Sequence, residues 1–186
     1  GVTAGKVHEV DDDIWFLGTG REPGQDPYFK NLYKVGIDGK DLALLTPEKA
    51  DHRVTLSPDG KHFVDTYSTT AMPPVTVLRD SGDGKVLKEI ARADIAPVRA
   101  TGWGPPEDFT VKARDGKTDL YGLMFKPTNF DPAKKYPIIN YVYPGPQVGP
   151  IGRRGFTSAR RDNQALAELG FIVVSIDGMG TPYRSK

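Results

Sequence analysis

Residues 138–176 read IINYVYPGPQVGPIGRRGFTSARRDNQALAELGFIVVSI, and this stretch decides the fold of the second half of the chain. Its first six residues, Ile138 to Tyr143, are almost continuously apolar or aromatic, as expected of a strand buried on both faces. Its last six, FIVVSI at 171–176, repeat that pattern. Between them, Ser158 is placed to cap a helix over residues 159–169, with Ala165, Leu166 and Leu169 on one side and Gly170 as its stop. Strand, helix and strand in that order predict a βαβ unit with a right-handed crossover. The intervening loop, residues 144–157, holds four Gly and three Pro. A loop of about 14 residues in a compact fold is usually functional or disordered. This one leaves the carboxyl end of a parallel strand, where α/β sheets place their sites.

Working backwards, residues 109–114 and 119–126 are expected to pair as a hairpin across Asp115-Gly116. Residues 101–106 (TGWGPP) form a Gly/Pro hinge and mark a boundary. The expected division is 1–104 and 105–186. The first part has a different grammar. Ile14-Trp15-Phe16-Leu17, Leu32-Tyr33-Lys34-Val35, residues 42–45, 62–67, 75–78 and 86–90 are short apolar runs separated by turn residues. No helical period survives among them, so this half reads as all-β.

It also carries a repeat. Asp38-Gly39-Lys40 returns as Asp83-Gly84-Lys85, an offset of 83 − 38 = 45, each between two strands. About four strands per ~45 residues is the period of a β-propeller blade, although a β-meander or sandwich uses Asp-Gly turns too. About two blades fit before residue 100, whereas propellers close with about 4–8. Further blades are therefore expected upstream, and the α/β sheet that opens in the second half is expected to continue downstream.

Composition narrows the function. Lys and Arg number 25 against 24 Asp and Glu, a net charge of +1, which argues against a polycation for nucleic acid or membrane surfaces. No apolar run approaches the ~18 residues of a membrane span. Without Cys, disulfides and thiolate metal sites are excluded, and with only His8, His52 and His62 a histidine-rich metal site is not expected. Asp11-Asp12-Asp13 lacks the spacing of a calcium loop and reads as a turn. Arg153, Arg154, Arg160 and Arg161 read as a solvated loop and helix face rather than an anion site. His8 and His52 read as surface residues, and Trp15 and Trp103 as core or hinge packing. Asp177-Gly178-Met179-Gly180 lacks the third glycine of a dinucleotide loop. At the end of the first apolar run, Tyr143 could donate its hydroxyl to a developing oxyanion. Equally, Tyr143 packs and Pro144-Gly145-Pro146 merely turns the chain.

Lys134-Lys135-Tyr136-Pro137 followed by IINYVYPGPQ resembles the first strands of the catalytic domain in the prolyl oligopeptidase family of serine peptidases, and most closely its dipeptidyl peptidase IV-like branch. GFIVVSIDGMGTPYRSK resembles that family's next strand and its Asp-x-x-Gly-[Ser/Thr] loop, with Met179 where the family usually has Arg. The resemblance implies propeller blades followed by the N-terminal part of an α/β-hydrolase domain. It implies that Tyr143 is the tyrosine whose hydroxyl helps stabilise the tetrahedral oxyanion, and that no cofactor or metal takes part. The remaining machinery is not in this chain. No Gly-x-Ser-x-Gly occurs, and every His precedes residue 63, whereas this fold orders its triad Ser, Asp, His after the strand ending at Ile176. The acidic pair that holds a substrate amino terminus in dipeptidyl peptidases would lie in upstream blades.

The expected function is therefore that of a piece of a serine exopeptidase cleaving near proline at peptide N-termini, inactive as an isolated chain. An oligopeptidase or acylaminoacyl peptidase of the same family, or a non-catalytic propeller scaffold, are the alternatives. Its expected partners are peptide substrates and the remainder of its own enzyme, with a homodimer open to it and no nucleic acid. The resemblance favours a periplasmic or secreted location.

Overall fold

The computed structural model describes residues 8–10, 12–142, 149 and 151–179, with side chains from residue 12 onward. The chain divides into two compact units, Gly1–Asp94 with Arg153–Phe156, and Ile95–Gly152 with Thr157–Lys186.

The first unit contains two four-stranded antiparallel meanders. One comprises β1 (His8–Val10), β2 (Asp13–Thr19), β3 (Lys30–Gly36) and β4 (Ala43–Leu44), paired in that order. The other comprises β5 (Asp51–Leu56), β6 (His62–Ser68), β7 (Val75–Asp80) and β8 (Val86–Arg92), also in sequence order. This is the build of propeller blades. Both copies of the repeat fall between a third and a fourth strand. In each, the Asp carboxylate accepts the Lys amide two residues on, at 2.9 Å from Lys40 to Asp38 and 2.9 Å from Lys85 to Asp83. The glycines between them take φ of +81° and +76°, which Gly adopts without the Cβ penalty. Asp59-Gly60-Lys61 and Asp115-Gly116-Lys117 close the same Asp-to-amide bond, at 3.1 and 2.9 Å.

The core of this unit joins Trp15, Leu32, Leu45 and Phe63, residues contributed by both meanders. The Trp15 indole N–H also donates to the Ser81 carbonyl at 3.2 Å, so the buried ring satisfies its one donor. Asp12, at φ +63°, turns β1 into β2, in line with the turn expected there; Asp11 lies outside the described residues. Strand β5 was not expected, because its sequence DHRVTL is polar at the outset. Strand β8 is exposed at all seven positions, and its Lys88, Glu89 and Arg92 interrupt an otherwise apolar edge.

The second unit opens with a one-turn helix, α1 (Ala96–Arg99), the exception to an all-β reading of the first hundred residues. It then builds β9 (Glu107–Lys112), β10 (Asp119–Phe125), β11 (Ile138–Tyr141), α2 (Asn163–Glu168) and β12 (Ile172–Ile176). The sheet order is β11-β12-β10-β9, so the last strand in sequence is inserted between β11 and β10. β11 and β12 are parallel, with Ile138 opposite Ile172 and Tyr141 opposite Ser175, and α2 lies between them in sequence as the βαβ pattern predicts. The hairpin β9–β10 is antiparallel across Asp115-Gly116, also as expected.

Two expectations are corrected here. The helix spans six residues rather than eleven, and it starts after Asp162 instead of Ser158. Arg161 at φ +54° departs from helical geometry and sets that start. β11 is buried on one face only. Ile139 packs into the core of Leu123, Phe125, Ile151, Ala167 and Val173, whereas Ile138 is 67% exposed. As the edge strand of a sheet whose core forms on the α2 side, β11 alternates instead of running apolar throughout.

Candidate functional site

The βαβ unit directs attention to the carboxyl ends of β11 and β12. Tyr143, with the rest of residues 143–148, lies outside the described residues. Tyr141 closes β11 in register with Ser175, and beyond β12 the Asp177 amide donates to the Tyr121 carbonyl at 3.1 Å. The Asp177 side chain is 2% exposed. Gly149 passes so close that a Cβ there would stand 3.1 Å from Asp177 Oδ1. Ile151 is buried at 3% in the core, and the Gly152 amide closes back on the Gly149 carbonyl at 3.2 Å. The later part of the loop is thus held by packing and backbone bonds, not left as a free surface excursion.

The next four residues belong to the first unit, and here the reading of the arginines as a solvated face fails for Arg154, while Arg153 and Arg161 are exposed as expected. Arg154 is 1% exposed, its Nε lies 2.7 Å from Asp26 Oδ2, and its guanidinium lies 5.3 Å from the centre of the Tyr28 ring. Arg153 sets Nε and a terminal nitrogen on Asp51 Oδ2 at 3.0 and 2.9 Å. The Phe156 amide donates to Ser68 Oγ at 3.0 Å. Asp51 and Ser68 are themselves cross-strand partners at one end of the β5–β6 pair. A planar, forked guanidinium can be buried against a carboxylate and an aromatic face, so a basic cluster need not be a solvated one.

His52 is the second correction. It is fully buried, not a surface residue. Its Nδ1 faces both oxygens of Asp65, at 3.0 and 2.9 Å, and its Nε2 faces the Glu48 carbonyl at 3.1 Å. Arg79, also buried, completes the group through Nε to Asp65 at 3.0 Å and a terminal nitrogen to Glu48 at 2.8 Å. The side chain of His8 lies outside the described set.

A His–Asp pair invites comparison with a catalytic triad, in which the second ring nitrogen faces a nucleophile. In this protein that nitrogen faces a backbone carbonyl, and the ring has no access to solvent, so the pair offers no nucleophile activation. Ligand atoms of Glu48, His52 and Asp65 lie within 4.8 Å of one another, a spacing a cation could use. Arg79 already brings positive charge to both carboxylates, however, and the donor set is better matched to a guanidinium than to a metal ion. The cluster is a buried charge network that joins β5, β6 and β7.

Comparison with known proteins bears on what this architecture serves. The profile of the family described as "Dipeptidyl peptidase IV (DPP IV) N-terminal region" matches residues 3–74, which take in the first meander and the first two strands, β5 and β6, of the second. The chain belongs to the dipeptidyl peptidase IV-like family. It is 29% identical to human dipeptidyl peptidase 8, over 96% of this chain and 20% of that protein. It is 31% identical to the probable dipeptidyl-aminopeptidase B of Penicillium rubens, over 91% of this chain and 18% of that one. A crystal structure of a candidate dipeptidyl aminopeptidase IV from Bacteroides ovatus superposes with a TM-score of 0.78 at 30% identity, over 98% of this chain and 26% of that one.

The chain spans about a fifth of the length of the curated relatives it matches. In this dipeptidyl peptidase IV-like chain the two meanders are propeller blades. Among its described residues no helix is long and apolar enough to cross a membrane.

Proposed function

We propose that this chain contributes the last propeller blades, residues 1–104, and the beginning of an α/β-hydrolase peptidase domain, residues 105–186, to a serine exopeptidase that releases dipeptides near proline from peptide N-termini. The observation that carries the reading is the placement of β12 between β10 and β11 through a helical crossover, directly after two blades of a dipeptidyl peptidase IV-like chain. That parallel pair supports a sheet of the hydrolase kind, with its site at the carboxyl ends of the strands. Ile138 at 67% exposure, on the open edge strand, supports a sheet that continues beyond the described strands.

In this reading the hydroxyl of Tyr143 donates to the oxyanion formed when a serine outside these 186 residues attacks the peptide carbonyl. Donors fixed before the reaction act where charge develops and need no reorganisation at that moment. The nucleophile and its base come from elsewhere in the enzyme, since no Gly-x-Ser-x-Gly is present and His52 is committed to Asp65. Substrates are peptides with a free amino terminus.

Full-length enzyme carrying Tyr143→Phe should lose kcat by on the order of 10²–10³ towards an X-Pro chromogenic dipeptide while remaining folded. An unchanged kcat would remove Tyr143 from the site. Equal cleavage of the N-blocked substrate would replace the exopeptidase with an endopeptidase or acylaminoacyl peptidase. Failure to label with a fluorophosphonate probe would leave only a binding scaffold.

A further inference from the structure

We infer that His52 binds two protons and serves as a buried imidazolium, which makes the second meander a proton-dependent element that loosens as pH rises. The atoms that face the ring carry this. His52 is fully buried; its Nδ1 lies 3.0 and 2.9 Å from the two oxygens of Asp65, and its Nε2 lies 3.1 Å from the Glu48 carbonyl oxygen. A neutral imidazole has one N–H and one lone pair. Either tautomer would set that lone pair against an acceptor, the carboxylate in one case and the carbonyl in the other. With the ring closed to solvent, only the doubly protonated form satisfies both contacts.

Charge balance leads to the same form. Arg79 Nε donates to Asp65 Oδ2 at 3.0 Å, while its two terminal nitrogens reach the Gly84 carbonyl at 3.0 Å and Glu48 Oε1 at 2.8 Å. A guanidinium on Asp65 favours its carboxylate form, so the proton between Asp65 and His52 belongs on the ring. Two carboxylates, Asp65 and Glu48, then face two cations, Arg79 and His52, and the cluster is neutral. A neutral ring would leave one buried negative charge uncompensated. The other neighbours do not alter this count. Tyr67, opposite His52 on β6, lies ring to ring with it at 5.4 Å, and burial keeps its hydroxyl protonated. On β5 itself Asp51 is taken by Arg153, and Arg53 is exposed. Lys49, beside Glu48, is exposed, and Arg92 of β8 pairs with Glu89 in solvent.

Histidine in an unfolded chain titrates at about 6.5. Above that value the unfolded chain gives up a proton that the folded ring keeps. The stabilisation is therefore complete below about pH 6.5 and is lost as pH rises. Neutron diffraction from deuterated crystals of the full-length protein at neutral pH should show deuterium on both ring nitrogens of His52. Deuterium on one nitrogen only, or on Asp65 beside a neutral ring, would overturn the inference, and neither outcome depends on a variant that folds. In solution, protection of the β5 and β6 amides, corrected for intrinsic exchange, should fall by up to about tenfold per pH unit above about 6.5, the slope of one proton. In His52→Gln that slope should be less than about twofold per unit, whatever its absolute protection, because a carboxamide does not titrate. A flat profile in the wild type, or a slope shared by both proteins, would remove the proton dependence from His52.

Discussion

One oxygen of Asp65, Oδ2, accepts from both His52 Nδ1 and Arg79 Nε, at 2.9 and 3.0 Å, and all three side chains are closed to solvent. A buried carboxylate so placed compensates two donors that otherwise have nowhere to turn. Asp65→Ala would break a buried ion pair, leaving Arg79 Nε without its acceptor and Glu48 as the remaining carboxylate on the guanidinium, a change that typically costs about 3–5 kcal/mol. The expected result is a rise of about a hundredfold to a thousandfold in amide hydrogen exchange across β5 and β6, the strands it links. Glu89→Ala, which removes an exposed carboxylate beside Arg92, should shift exchange there by less than about fivefold. Equal effects from the two substitutions would show that the buried network adds nothing to the blade.

The two repeat glycines separate backbone strain from close contact. A Cβ on Gly39 would meet open space, whereas one on Gly84 would stand 2.2 Å from the Leu45 carbonyl oxygen. Both have positive φ, so each Ala substitution costs about 1–2 kcal/mol from conformation alone. Gly84→Ala must also move a backbone, adding about 1–3 kcal/mol if the cost is that of overpacking. Thermal unfolding of the two variants should therefore place Gly84→Ala well below Gly39→Ala. Matched midpoints would mean that Leu45 and the turn separate freely.

How much of this was legible depends on the range of the interaction. Asp-Gly-Lys announces its turn wherever it occurs, because the Asp carboxylate needs only the amide two residues on. The copies at 59–61 and 115–117 make the same turn in other settings, so the tripeptide marks a turn and not a blade. The blade reading held because the 45-residue offset joins equivalent turns of two meanders. The apolar runs of β11 and β12 were equally plain, but the positive φ of Arg161 that shortens α2 left no trace in composition. His52 was missed because its partner Asp65 lies 13 residues away, and Arg154 because Asp26 lies at the other end of the sequence. One signal was available. In β7 the buried positions are Val75, Val77 and Arg79, and in β6 Asp65 alternates in phase with Phe63. A charge on the core-facing register of one strand calls for an opposite charge on its neighbour.

Acid should open the hairpin β9–β10 in a range set by Asp115. Its carboxylate accepts the Thr118 hydroxyl at 2.6 Å and the Thr118 and Lys117 amides at 2.8 and 2.9 Å. The Thr118 hydroxyl foremost, then the two amides, bring its pKa down to about 2. The unfolded chain titrates at the ordinary aspartate value of about 3.9. A folded pKa below the unfolded one means that the contribution is complete above about pH 4 and is lost as pH falls through about 2. Exchange of the Thr118 amide should therefore show excess opening across that window. Asp115→Asn should flatten this dependence, because no proton is then taken up at the turn. An acid slope that survives in Asp115→Asn would assign the opening to other carboxylates of the sheet, such as Asp119 beside Lys112.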